Sequence, residues 1–216
     1  LLLDAAERYS NALVAGAANT EKLLACLREA QTGDESEIRE ILKEMAAFLS
    51  RPNLSAKLRR ELGSTSPSLE TRVGFQDSVF ESWAPLGFLV HVVPSNAPSV
   101  APLSAVEGLL AGNLNFVKTS GGESLFPQLF LEGLLSCDPS GTLARFVVCA
   151  RISSSRKPLL ESLFSASDGI SVWGGEEAVH SVKKLAPAGA KIIEWGHRIS
   201  LAYLTREQAS SESTLE

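Results

Sequence analysis

The sequence predicts an α/β protein in which helices cover both faces of a parallel sheet, with an all-helical segment ahead of it. Three observations carry this. The first seventy or so residues repeat apolar positions at helical spacing. From residue 88 onward, short apolar, β-branched runs alternate with helical stretches, as in a sheet buried on both faces. The stretch 86–120, LGFLVHVVPSNAPSVAPLSAVEGLLAGNLNFVKTS, reads strand, polar loop, crossover helix, strand, polar loop, which is one βαβ unit.

The elements follow in order. In the helical segment, residues 1–72, Leu3, Ala6, Tyr9, Leu13 and Val14 mark a first helix. Asn19-Thr20-Glu21 opens a second that runs through Leu27. Ser36 with Glu37 starts a third, with Ile38, Ile41, Leu42, Met45 and Leu49 on one face, and Pro52 ends it. Ser55 caps a fourth that runs to Leu62 and closes at Gly63. Charge runs on these helices read as solvated faces. The segment is expected to pack on the sheet formed by residues 73–216.

That second part begins with an extended connection, Val73 to Phe80. Six strands are expected after it: Phe88–Val93, Leu114–Val117, Arg145–Cys149, Ile170–Trp173, Lys191–Ile193 and Ile199–Leu204. Helices are expected over Pro98–Leu110, Ser124–Leu135, Pro158–Phe164 and Glu176–Leu185. Thr205 can cap a helix starting in the tail. Right-handed crossovers wind such a unit into a Rossmann-like parallel sheet, whose ligands bind at the carboxyl ends of the strands.

Composition narrows the function. The chain has 216 residues, 44% of them hydrophobic and 21% charged, which is ordinary for a globular protein. Net charge is −5 and the pI about 5.4, which argues against nucleic acid as a partner. No apolar run approaches a membrane span. The start, Leu1-Leu2-Leu3-Asp4, has neither an initiating Met nor a signal peptide and reads as the start of an internal fragment. Cys26, Cys137 and Cys149, with His91, His180 and His197, show no metal-ligand spacing, so no metal is expected. Three sparse cysteines suit a reducing compartment, and the expected location is cytoplasmic.

Four positions at the predicted carboxyl edge can carry chemistry. In Pro94-Ser95-Asn96, the Asn96 amide either donates to a carbonyl oxygen as charge develops or caps the following helix. Lys118, followed by Thr119 and Ser120, either meets a ribose hydroxyl or phosphate or is a solvated strand end. Gly174 and Gly175 open a helix whose free N–H groups suit a pyrophosphate, although Glu176 and Glu177 occupy its first turn and no G-x-G-x-x-G is present. Glu194 either serves as a base shielded by Trp195 or pairs with Arg198 or Lys191. His91, inside a strand, reads as structural, and His180 as surface. Cys149, beside Val147 and Val148, reads as a buried, inert thiol, and none of the three cysteines reads as a nucleophile.

The motifs P-S-N, A-G-N-L-N-F-V-K-T-S, V-W-G-G-E-E and I-I-E-W-G-H-R-I-S together resemble the acyl-CoA reductases of the bacterial bioluminescence (lux fatty acid reductase) type, within the aldehyde dehydrogenase superfamily. The resemblance runs from about Pro85 to Leu204. It implies NADPH-dependent reduction of a long-chain fatty acyl-CoA, or a related activated acyl group, to an aldehyde through an acyl-cysteine. It implies that Asn96 stabilises the oxyanion, that Lys118 meets the adenosine ribose, and that Gly174 and Gly175 face the phosphates. Glu194 falls where hydrolytic relatives keep a general base, a role that thioester reduction does not require. An acyl-activating enzyme subunit and a homo-oligomer are the implied partners.

Departures from the pattern matter. Hydrolytic relatives often follow the lysine with Pro-Ser-Glu, and this chain has Thr119-Ser120-Gly121. A missing acid removes repulsion against a 2′-phosphate, which favours NADPH over NADH. Val179 replaces a later glycine of some relatives. The family's nucleophilic cysteine follows the glutamate segment, and the 22 residues after Glu194 contain none. The chain therefore reads as the cofactor-binding part of a longer enzyme, inactive alone. Two other readings stay open: a non-catalytic Rossmann-like binding or assembly module, and an acylating aldehyde dehydrogenase for short acyl-CoAs.

Overall fold

The computed structural model describes residues 1–17, 19–30, 34–62, 72–74, 80–94, 97–120, 124–196, 203 and 205. Four helices come first: α1 (Leu2–Val14), α2 (Thr20–Ala30), α3 (Glu35–Leu49) and α4 (Arg51–Leu62). Two boundaries differ from expectation. Asp34, not Ser36, caps α3, and Glu37 reaches back to complete a capping box. Pro52 sits in the first turn of α4, where a missing N–H costs nothing, so α4 begins four residues before Ser55.

These helices bury Tyr9, Leu23, Leu24, Leu27, Leu42, Leu49 and Leu54 in one core. Their partners there are Val106 of α5 (Val100–Leu110) and Phe126, Phe130 and Leu134 of α6 (Phe126–Ser136). The amino-terminal layer therefore rests on the helices that cover the sheet. Tyr9 ties the layers together. Its ring meets Phe130 edge-on at 5.2 Å, and its hydroxyl donates to Asn19 Oδ1 at 2.9 Å. Asn19 Nδ2 in turn donates to the Leu129 carbonyl at 2.6 Å.

The extended connection expected over Val73–Phe80 is instead an antiparallel pair, β1 (Arg72–Gly74) and β2 (Phe80–Ser82), with Arg72 opposite Ser82. The main sheet contains β3 (Phe88–Val92), β4 (Leu114–Thr119), β5 (Val147–Arg151), β6 (Gly169–Trp173) and β7 (Lys191–Trp195). All pairings are parallel and the order is β5-β4-β3-β6-β7. The chain winds outward one way from β3 and then returns to add β6 and β7 on the other side. The order reverses between β3 and β6, the switch point where α/β sheets bind ligands. The expected sixth strand, Ile199–Leu204, and the tail helix lie outside the described residues, apart from Tyr203 and Thr205, which carry no regular structure.

Helices α5 and α6 pack on one sheet face, around Ala101, Ala105, Val117, Leu131 and Val147. Helices α7 (Lys157–Ser165) and α8 (Glu176–Leu185) pack on the other, around Val90, Ile170, Val172, Leu160, Phe164 and Val182. Strand β5 lies at the sheet edge, so Val148 is 50% exposed and Cys149 only half-buried. The expectation of a buried Cys149 is corrected by that edge position.

Candidate functional site at the carboxyl edge

The parallel register lines up two adjacent rows at the carboxyl ends of the strands. In the first, Ala150, Lys118, Val92, Val172 and Glu194 stand side by side. Val92 and Val172 pack in the α7–α8 core, so this row belongs to that face. In the second, Thr119 lies beside Arg151 and Trp173 beside Trp195, on the α5–α6 face. Lys118 and Glu194 thus share a sheet face, whereas Trp195 stands on the other.

Lys118 is buried, at 5% exposure, with two strands between it and Glu194 along the row. Thr119 is fully buried and its Oγ1 has no hydrogen-bond partner, an arrangement native interiors rarely tolerate. Ser120 and Pro94 are half-buried beside it. Ser95 and Asn96 lie outside the described residues, as do Gly121, His197 and Arg198.

After β6, Gly174 adopts φ +153°, and a Cβ there would meet the Ala178 Cβ at 3.1 Å. Gly175 is the N-cap of α8 and supplies no side-chain cap, which leaves the first-turn N–H groups to another acceptor. The same is true of Ser99 ahead of α5 and Leu125 ahead of α6. The N-cap residues of all four helices that follow strands of this sheet, Arg156 ahead of α7 included, supply no side-chain cap, although Phe126 N at the start of α6 donates to Ser124 Oγ at 3.2 Å. Glu176 and Glu177, both exposed, partly offset the α8 dipole.

Glu194 pairs with Lys183 of α8, Oε1 to Nζ 2.6 Å, and both side chains are nearly half exposed. Lys183, not the expected Lys191, is the partner found among the described residues, and Arg198, the other expected partner, lies outside them. Trp195, across the sheet from Glu194, does not shield it. Between α8 and the end of β7 lies a cavity of about 550 Å³ lined by Glu176, Glu177, His180, Lys183 and Glu194. Three carboxylates against one lysine make it a poor seat for phosphate.

A buried polar chain escaped the sequence reading. The Trp173 indole Nε1 donates to Ser104 Oγ at 3.2 Å, and Ser104 Oγ lies 2.7 Å from His91 Nδ1. His91 Nε2 lies 3.0 Å from Asn115 Oδ1, while Asn115 Nδ2 donates to the Asn113 and Phe146 carbonyls. Because the Asn115 nitrogen donates, its oxygen accepts; this assigns the His91 proton to Nε2 and makes Nδ1 the acceptor from Ser104. Burial pushes the His91 pKa down to about 4 from its ordinary 6.5, against the weaker effect of the Asn115 hydrogen bond. Gly108 makes room, since a Cβ there would sit 1.9 Å from Asn115 Oδ1. The signal was a serine, Ser104, among the apolar residues of helix α5. Its partners are 13 and 69 positions away and could not be named from spacing.

Among the described residues no group of three His, Cys, Asp or Glu side chains gathers as a metal site, and no helix is long and apolar enough to cross a membrane.

The family model described as Acyl-CoA reductase (LuxC) matches residues 2–216. The long-chain acyl-protein thioester reductase of Vibrio harveyi is 25% identical over 121 residues, 56% of this chain and 25% of that protein. The enzyme of the same name from Photorhabdus laumondii is 24% identical over 130 residues, 60% of this chain and 27% of its own length. The matched stretch thus spans about a quarter of these relatives. Among solved structures, succinic semialdehyde dehydrogenase from Streptococcus pyogenes, in complex with NADP+, matches with TM-score 0.67 and 16% identity, over 89% of this chain and 39% of that one. An NADP-dependent enzyme of E. coli matches with TM-score 0.66 and 14% identity, over 88% and 38%. These likenesses establish the fold.

Proposed function

We propose a function from one premise, that the chain belongs to the acyl-CoA reductase (LuxC) family. The reading is that it supplies the NADP(H)-binding layer of an enzyme that reduces an activated acyl thioester to an aldehyde. One thioester, a hydride and a proton give an aldehyde and a free thiol. The acyl group is held meanwhile on a cysteine outside this chain: Cys26 lies in α2 and Cys137 follows α6, while Cys149, opposite Val117 and one residue before the edge rows, is half-buried on the edge strand β5.

A single observation carries this reading. Lys118 and the Gly174–Gly175 turn flank the switch point and belong to the α7–α8 side of the sheet. The chain's own geometry fits a dinucleotide there. The turn needs glycine at 174, where a Cβ would crowd Ala178, and Gly175 supplies no side chain to compete for the first-turn N–H groups of α8, which can then donate to phosphate oxygens. Lys118 holds a ribose hydroxyl or a 2′-phosphate as a point charge. Thr119-Ser120-Gly121 ends in glycine where an acid would repel, which leaves a 2′-phosphate unopposed and favours NADPH. When bound, the nicotinamide supplies the hydride. Asn96 donates to the thioester oxygen as it gains charge. Glu194, held by Lys183, orients the end of β7 instead of activating water.

The family description names acyl-CoA and the relatives' names an acyl-protein thioester; both present the same thioester carbonyl. An acyl-activating subunit that delivers the acyl group, and a homo-oligomer of the whole enzyme, accompany this reading. Calorimetric titration with NADPH and NADH tests it. NADPH is expected to bind the more tightly, and Lys118→Ala to weaken it roughly tenfold or more, the loss of one charge-assisted contact. No binding of either cofactor to the folded chain would overturn the reading.

A further inference from the structure

The amino end of the sheet carries another cavity, of about 570 Å³, where Phe88, Leu114 and Phe146 meet Thr142 and Arg145. The register builds its apolar wall. Phe88 lies opposite Leu114, and Phe146 comes one residue before the Asn115–Val147 pair, so the three stand in a row at the starts of adjacent strands. The α7–α8 core closes over β3, where Val90 is fully buried, but leaves the β4–β5 end of the row open: Leu114 is 42% and Phe146 43% exposed. Single exposed apolar side chains are ordinary; neighbouring ones around a concavity mark a surface that receives something.

Buried groups fix the rim. Asn113 Oδ1 accepts from the Gly87 N–H at 3.1 Å, the Leu114 N–H donates to the Gly87 carbonyl at 2.9 Å, and Asn115 Nδ2 donates to the Phe146 carbonyl at 3.3 Å. The charge around it has one sign. Residues 139–160 hold Arg145, Arg151, Arg156 and Lys157 and no acid, in a protein whose net charge is −5. Arg145 is exposed and makes no ion pair among the described residues. No Asp or Glu lines the cavity. Asp168 stands behind Gly87, and its Oδ2 accepts from the Phe88 N–H at 2.7 Å. Thr142 Oγ1 accepts from Ser140 Oγ at 2.8 Å, which leaves its own hydrogen to donate.

We propose that this cavity binds a free long-chain carboxylate, its head on Arg145 and Thr142 and its alkyl tail along Phe88, Leu114 and Phe146. The guanidinium fork matches a carboxylate, and the apolar row takes the tail out of water. The volume falls within the roughly 300–1,000 Å³ of small-molecule clefts. The site is at the opposite end of the sheet from Lys118, four residues along β4 and about 13 Å away, and does not depend on the cofactor reading.

Calorimetric titration with dodecanoate, kept below its micelle concentration, tests this against dodecylammonium, which has the tail and the opposite charge, and butyrate, which has the head and almost no tail. Dodecanoate is expected to saturate one site, at least tenfold more tightly than either. Arg145→Gln and Phe146→Ser are each expected to weaken it about tenfold, and Lys118→Ala to leave it unchanged. Both replaced side chains are exposed, and unaltered urea midpoints verify that the variants fold. Absence of saturable binding would overturn the proposal. So would equal binding of dodecylammonium, which is adsorption by apolar contact alone, or a loss in Lys118→Ala without one in Arg145→Gln, which would move the ligand to the carboxyl edge.

Discussion

The amino-terminal helices and the carboxyl edge of the sheet use their polar groups in opposite ways. At the start of α3, Asp34 accepts from the N–H groups of Ser36 and Glu37 at 2.8 and 2.9 Å, and Glu37 accepts from Asp34 N at 3.1 Å. Those hydrogen bonds, Glu37's first, hold the Asp34 carboxyl below its usual range. Arg51 is forked between Glu7 and Asp4, and Ser10 Oγ donates to the Ala46 carbonyl at 2.6 Å. At the edge, the N-cap residues of α5, α6, α7 and α8 supply no side-chain caps and the Thr119 hydroxyl is buried without a partner. Around α3 and Arg51 the polar groups are satisfied within the chain, although α1, like the edge helices, begins without a side-chain cap. On the function proposed above, the edge keeps donors and acceptors for a cofactor, and the contrast is then one between a scaffold and a site.

The scaffold half of the contrast breaks most severely at Phe130. It is fully buried where α6 meets Tyr9 and Phe126. Phe130→Ala is expected to cost about 3–5 kcal/mol, measured by urea denaturation. Because α6 faces both the amino-terminal core and the sheet, the helical signal and the Trp173–Trp195 fluorescence should fall in one transition. Separate transitions would mean that the two regions fold independently.

The architecture was largely legible, because β-branched runs and amphipathic repeats are local signals. Strands β3, β4, β6 and β7 and helices α5 to α8 fall within a few residues of their expected places. What failed depends on neighbours distant in sequence. Nothing local says that β5 is an edge strand, so Val148 and Cys149 looked buried. Nothing local pairs Lys183 with Glu194, because that needs α8 packed over the face to which Glu194 belongs. Asp34 lost to Ser36 as a cap because either residue can fill that role and only the backbone turn decides. At the site, Lys118 and the glycine turn could be named from strand ends alone. The Trp173–Ser104–His91–Asn115 chain could not, since its contacts join three strands and a helix.

That chain makes the layer beneath the edge sensitive to acid. An unfolded His91 takes up a proton near pH 6.5, whereas the folded one resists until about 4. Between those values the unfolded state binds more protons. Stability contributed by the neutral imidazole is therefore complete above pH 6.5, is lost as pH falls, and levels off below about 4. The full loss is on the order of 3 kcal/mol. Unfolding free energies measured from pH 7 to 4 should show this slope in the unaltered chain and a shallower one in His91→Gln. An NMR titration in which the His91 ring protonates near 6.5 in the folded chain would contradict the burial argument.

The smallest expected effect bears most directly on the contrast. Thr119→Val keeps the shape of the side chain and removes its partnerless hydroxyl. A buried hydroxyl without a partner costs about 1–3 kcal/mol, so the valine variant should be more stable by roughly 1 kcal/mol in the absence of ligand. This is the reverse of the usual outcome of a core substitution. If the edge holds a cofactor, the same change should also weaken NADPH binding, since the hydroxyl is then a contact. Stability and affinity would move in opposite directions, as expected of a residue that serves a ligand at the expense of the fold. A variant less stable than the original would show that Thr119 belongs with the scaffold, and the division between the two regions would have to be drawn elsewhere.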